Sequence, residues 1–231
     1  MEFLPEPGMA QKVAAMQESL RSWGPKHGRD YPWRHTRDPY RILIAEILLH
    51  RTRADQVCPI YLQFLEMFPD LPSLIRAEPE SVKALMAPLG LRWRTDLLLK
   101  MVREIGERYG GKIPLQREPL MALPGVGDYI TSALLTFTDT SPEPIMDTNT
   151  VRVIGRVFGL KLNDSARRKK LFRQIMGLLV AGEESRDISF AMIDLAALIC
   201  LPRNPLCERC PLLPICDYGT SRIRPESDPI D

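Results

Sequence analysis

The chain has 231 residues, 45% of them hydrophobic, enough to bury one large core or two smaller ones. Its 31 Lys and Arg nearly balance 29 Asp and Glu, for a formal net charge of +2, so any nucleic-acid surface has to come from where charge is placed and not from its total. No apolar run approaches the length of a membrane span, and the opening Met1-Glu2-Phe3-Leu4-Pro5-Glu6-Pro7 is acidic and Pro-rich, which argues against a transmembrane helix and a secretory signal and for a soluble cytoplasmic protein.

In chain order, the first strong pattern is Ile42-Leu43-Ile44-Ala45-Glu46-Ile47-Leu48-Leu49, a helix apolar on most faces. Glu46 inside it is costly unless paired or functional; an i,i+4 partnership with His50 is the ordinary alternative. A raised pKa there would let the carboxyl donate a proton. A helical stretch over residues 54–68 follows, in which Cys58 reads as a small buried hydrophobe. Val82, Leu85, Met86, Leu97, Leu98, Leu99 and Val102 continue at spacings of three and four. Pro and Gly punctuate near residues 69–71, 109–114, 119, 124–127 and 141–144, so the chain reads as many short helices without strands. The all-α class follows, with two helical lobes and one crossing between them near residues 141–144.

Leu123-Pro124-Gly125-Val126-Gly127 lies between two helical runs. Its two glycines allow φ > 0 and a close backbone approach, and the N–H groups opening the next helix suit a phosphate oxygen. A tight interhelical turn with no ligand is the alternative. Asp147, in Met146-Asp147-Thr148-Asn149, stands ahead of an amphipathic helix, where N-capping alone would explain it. Ala166-Arg167-Arg168-Lys169-Lys170 opens a later helix and reads as a solvated face.

Cys200, Cys207, Cys210 and Cys216 fall within seventeen residues at Cys-x6-Cys-x2-Cys-x5-Cys. Pro202, Pro205, Pro211 and Pro214 should hold the intervening backbone extended. Uneven short spacings suit the corners of a 4Fe–4S cubane; tetrahedral zinc remains open, and disulfides are disfavoured in a reducing compartment. Arg203 and Arg209 inside these loops could meet phosphates. The polar tail, residues 221–231, reads as frayed.

Taken together, the order of an apolar helix with Glu46, the Leu-Pro-Gly-Val-Gly hairpin, Asp147 and the four cysteines resembles the endonuclease III/MutY superfamily of helix-hairpin-helix DNA glycosylases, over residues 32–218. Pro32-Trp33-Arg34-His35-Thr36-Arg37-Asp38-Pro39-Tyr40, Glu46-Ile47-Leu48-Leu49, Tyr129 after the hairpin, and Val151-Arg152-Val153-Ile154 are similar to the MIG-type thymine/uracil mismatch glycosylases within it. The resemblance implies a six-helix lobe with the hairpin (residues 31–143). It implies a second lobe (residues 1–30 and 144–231) holding a 4Fe–4S cluster on Cys200, Cys207, Cys210 and Cys216.

It also implies a monomer acting on double-stranded DNA with a mismatched or damaged base. Asp147 would be the catalytic carboxylate, with Glu46 and Tyr129 at the extruded base. His50 and Arg51 would meet the orphaned guanine, and Pro124, Gly125, Val126 and Gly127 the phosphate backbone. Bifunctional relatives carry a lysine where this chain has Tyr129, and no lysine occurs between Lys112 and Lys161, so base removal without efficient strand cleavage is expected. MutY-like adenine glycosylases share the glutamate but usually have serine at the Tyr129 position, Gln-Gln where this chain has His50-Arg51, and a further C-terminal domain. Adenine removal opposite guanine or 8-oxoguanine, and a non-catalytic damage-binding module, are the alternative readings.

Overall fold

Twelve α-helices and five short 3-10 turns account for the regular structure among the described residues of the computed structural model, which are 7–90, 92–163 and 166–223. Strands are absent among them. The helices are α1 (Pro7–His27), α2 (Pro39–Leu49), α3 (Ala54–Met67), α4 (Leu71–Ile75), α5 (Pro79–Met86) and α6 (Arg92–Tyr109). They continue as α7 (Arg117–Met121), α8 (Asp128–Phe137), α9 (Thr148–Val157), α10 (Lys170–Leu179), α11 (Ser185–Leu198) and α12 (Asp217–Ile223). The chain divides into two units, Asp30–Ser141 and Met1–Arg29 with Pro142–Asp231.

In the unit Asp30–Ser141, α2 and α8 pack together at the centre, with α3 against α2 and α7 against α8. The physical reason is composition: eight of the nine residues of α2 from Tyr40 to Leu48 are buried, Arg41 alone excepted, and so are all eight from Ile130 to Phe137 in α8. A helix this apolar has almost no solvent face to offer, so it becomes the centre of a bundle, with Glu46 in α2 and Thr131, Ser132 and Thr136 in α8 its buried polar exceptions. Asp38 starts α2 by accepting from the Arg41 amide at 3.0 Å, with Pro39 at the first helical position, where its missing N–H costs nothing.

In the other unit, α1 packs on α11 and α10, and α9 on α11, α10 and α12. Met16, Leu20, Ile154, Phe172, Ile175, Met192 and Leu195 form its core. Truncating one such side chain to Ala costs roughly 2–5 kcal/mol, a large share of a typical domain's stability.

Four local expectations change. The prolines between the cysteines do not keep the whole intervening backbone extended: Cys207–Arg209 and Leu213–Ile215 are 3-10 turns, the latter with Pro214 as its second residue. The fixed proline φ suits the opening residues of such a turn as well as an extended segment. Pro119 lies inside α7 instead of ending it, because a helix this short places it within the first turn, where no N–H is required. Residues 221–223 close α12, while the rest of the expected tail lies outside the described residues. Cys58 is half-buried in α3 and not fully enclosed.

Candidate functional site

The hairpin, residues 123–127, joins α7 to α8. Val126 donates its N–H to the Leu123 carbonyl at 3.1 Å and buries its side chain, which anchors the turn from below. The two glycines have different reasons. Gly125 has φ +78, and a Cβ there would come within 3.2 Å of the Leu97 Cβ. Gly127 has an ordinary extended φ of −97, and open space lies where its Cβ would be, so its lack of a side chain leaves the start of α8 uncovered. No side chain caps α8 at that residue. Arg117 ties α7 to α8 through an ion pair with Asp128 and a bond to the Ser132 hydroxyl at 3.3 Å.

On the same unit, Glu46 is buried in α2 at 5% exposure, and Tyr129 is half-buried in the first turn of α8. His50 and Arg51 are exposed in the turn from α2 to α3, where Arg51 takes φ +56, in the left-handed region. The His50 ring meets Trp93 edge to face, with centroids 5.4 Å apart. Burial, then the charges of Arg51 and Arg94, hold the imidazole below its usual pKa, so His50 is biased to the neutral form. Beneath them is a small, partly open pocket whose walls include Ile47, Trp93, Leu97, Pro124 and Ile130. Thus His50, Pro124 and Gly125 line one pocket. Sequence reasoning missed Trp93, which is 43% exposed at the start of α6; an aromatic set among the charges of Arg92-Trp93-Arg94 was the available signal.

Asp147 belongs to the other unit and is half-buried. Its Oδ1 accepts from the Asn149 and Thr150 amides at 2.9 and 2.7 Å, and its Oδ2 accepts from Asn149 Nδ2 at 2.8 Å. The Thr150 hydroxyl accepts from the Asp147 N–H at 3.0 Å, completing a capping box. N-capping is therefore real, and it also makes the carboxylate rigid. Of a carboxylate's roughly four lone-pair positions, three are taken. The support continues inward: Arg152 donates to Asn149 Oδ1 at 2.9 Å, to the Ala196 carbonyl at 2.8 Å and to the Cys200 carbonyl at 2.8 Å. Asp147 is thereby connected to the first of the four clustered cysteines.

Cys200, Cys207, Cys210 and Cys216 line a single small cavity, part of it open to solvent. All are free thiols. Arg156 Nη1 lies 3.3 Å from Cys200 Sγ, the Gly219 N–H donates to Cys216 Sγ at 3.3 Å, and the Arg156 guanidinium sits 4.7 Å from the centre of the Tyr218 ring. Burial pushes the Cys210 thiol up to about 12 and the Cys216 thiol upward as well. Among the described residues no group of three or more His, Cys, Asp or Glu is drawn together as a single metal ion would require. Four sulfurs around one cavity, with N–H donors and a guanidinium aimed at them, fit a polynuclear thiolate-held group. Arg203 and Arg209 are exposed on these loops, as are Arg168, Lys169 and Lys170 ahead of and at the start of α10.

Residues 44–178 match the family model described as HhH-GPD superfamily base excision DNA repair protein. A thymine-DNA glycosylase of Aeropyrum pernix is 38% identical over 90% of this chain and 95% of its own length. A thymine/uracil-DNA glycosylase of Pyrobaculum aerophilum is 36% identical over 90% of this chain and 93% of its own. The solved structure of a thermostable thymine-DNA glycosylase superposes with a TM-score of 0.85 at 33% identity, covering 91% of this chain and 98% of that one. The chain belongs to the HhH-GPD superfamily of base excision DNA repair proteins and is a DNA glycosylase.

Proposed function

We propose that this HhH-GPD glycosylase removes thymine or uracil mispaired with guanine, hydrolysing the N-glycosidic bond and leaving the DNA strand uncut. The observation that carries the reading is the Asp147 carboxylate, held by two backbone N–H groups and Asn149 Nδ2 at the start of α9. As the C1′–N1 bond breaks, positive charge grows on the sugar. A carboxylate that is already fixed stabilises that charge without reorganising, and its remaining lone pair can orient or deprotonate water.

The other roles follow from chemistry and placement. The target nucleotide has to leave the stack, and a mismatch lowers that cost. The uncovered N-terminus of α8 beside Gly127 suits a phosphate oxygen, which fixes position without reading sequence. Arg51 and neutral His50, with Trp93 against the imidazole, are suited to the estranged guanine, whose major-groove edge an arginine reads best. Buried Glu46 can hydrogen-bond or protonate the leaving pyrimidine, and the Tyr129 ring can pack on the base or sugar. A phenol forms no Schiff base, so Tyr129 offers no covalent route to strand scission.

Cys200, Cys207, Cys210 and Cys216 would hold a 4Fe–4S cluster. When bound, the cluster supplies a four-point cross-link of loop 200–216. Arg156 and the Gly219 N–H would steady its sulfurs, and Arg152 would carry that rigidity through Asn149 to Asp147. Exposed Arg203 and Arg209 add phosphate contacts. No helix among the described residues is long and apolar enough to cross a membrane, and we place the protein inside the cell as a monomer on duplex DNA.

The test is single-turnover base release from T·G, U·G, A·8-oxoguanine and oxidised-pyrimidine·G duplexes. The expected result is release from T·G and U·G, with strand breaks only after alkali. Release of adenine instead would move the chain to the MutY branch.

A further inference from the structure

Arg94 lies in the first turn of α6 among charged neighbours, yet its side chain is only 2% exposed. No carboxylate among the described residues forms an ion pair with it. Instead Nη1 donates to the Leu48 and His50 carbonyls, each at 2.8 Å, with the Thr52 hydroxyl at 3.1 Å and the Ile47 carbonyl at 3.3 Å. Nη2 reaches the Gly90 carbonyl at 3.4 Å. Nε is buried without a hydrogen-bond partner. A buried cation with no counter-ion is expensive and persists only where its surroundings compensate it.

Here the compensation is the C-terminus of α2. The last carbonyls of a helix have no partner within it and carry the negative end of its dipole. The guanidinium spans those carbonyls and passes on to His50 and Thr52, which flank Arg51. Arg51 is the residue that adopts φ +56, a conformation that L-residues avoid unless the surrounding structure imposes it. From the same turn of α6, Trp93 braces the His50 ring. One helix start therefore grips the 50–52 turn by its carbonyls and by its imidazole.

We propose that Arg94 is a positioning residue for mismatch recognition, locking the 50–52 turn in the one backbone conformation that keeps both His50 and Arg51 presented at the surface. The inference rests on the reading of His50 and Arg51 as the pair that meets the orphaned guanine. Lysine replaces it only in part: an ammonium could reach some of the Nη1 acceptors at the end of α2 but not the Gly90 carbonyl as well.

The experiment compares wild type, R94Q, R94K, R51A and R94Q/R51A by amide exchange and by binding to a T·G duplex. In R94Q, exchange of the His50 and Thr52 amides should speed up at least about tenfold, with α8 amides unchanged. These two amides bond to the Ile47 and Leu49 carbonyls, so they report on the turn itself. The duplex Kd should rise about tenfold, with the change falling on binding and not on the rate at saturating protein. R94K should fall between the two, and it carries the comparison if R94Q does not fold. Adding R94Q to R51A should weaken binding by clearly less than the product of the two single losses, since Arg94 acts through the turn that carries Arg51. Unchanged His50 and Thr52 exchange, or losses that multiply in the double variant, would overturn the proposal. If R51A by itself leaves duplex binding intact, the DNA role of the turn fails, while the exchange data still decide whether Arg94 holds it.

Discussion

Asp147→Asn removes one negative charge but keeps an oxygen able to accept from the Asn149 and Thr150 amides, now 2.9 and 2.7 Å from Oδ1. The NH2 then falls where Oδ2 is, facing the Asn149 Nδ2 donor at 2.8 Å. Asn149 cannot simply flip, because its oxygen is engaged by Arg152. One hydrogen bond to a charged acceptor is lost, worth roughly 1.5–3 kcal/mol, and the half-exposed site favours the low end. The helix end loses about 0.3–1 kcal/mol of charge–dipole attraction. A domain of ordinary stability stays folded under that load.

The effect on turnover is larger. A charge developing on the sugar about 4 Å from a carboxylate gains roughly 4 kcal/mol at an effective dielectric near 20, so losing it should slow base release about a thousandfold. Asp147→Ser separates the two roles, because serine caps about as well as aspartate yet carries no charge. Its helix should melt close to wild type while its rate falls as far as that of the Asn variant. The assay is single-turnover release at saturating protein, beside duplex titration and thermal melting. A wild-type rate in either variant with normal DNA binding would refute the role given to Asp147.

Tyr129→Lys restores an amine at the position where bifunctional relatives carry one, and borohydride should then trap an enzyme–DNA adduct that wild type does not form; strong trapping by wild type would refute the monofunctional reading. The purified protein should be brown, with broad visible absorbance lost on Cys216→Ala, whereas a colourless zinc-loaded protein would reject the cluster. For His50 the folded pKa is depressed, so between that value and the ordinary 6.5 the unfolded chain binds more protons and stability rises with pH. Wild type should therefore lose more melting temperature than His50→Gln between pH 7.5 and about pH 5.5. An equal loss in both would remove the argument for a neutral His50.

Much of this molecule is written in short-range pattern. The centrality of α2 and α8 follows from their dense apolar residues, interrupted by Glu46 in α2 and by Thr131, Ser132 and Thr136 in α8. The hairpin follows from a glycine that alone tolerates φ +78, and the capping of α9 from Asp147, Asn149 and Thr150 lying within one turn. Where patterns left a choice, local reasoning went astray. Proline's single φ fits both an extended segment and a 3-10 turn, and at loop 200–216 the turns prevail.

Long-range contacts were not legible. Nothing in Arg92-Trp93-Arg94 says which arginine is buried; that depends on which helix end packing brings to it, and the answer is the C-terminus of α2, more than forty residues earlier. The Arg152–Cys200 bond spans 48 residues for the same reason. Sequence by itself determined the all-α class, the cap of α9 at Asp147, the hairpin and the cysteine spacing, because those depend on neighbours within a few residues. Only tertiary structure decided which cations are desolvated and which carbonyls they hold, because solvent exclusion and the convergence of distant backbone acceptors exist only once the helices have packed.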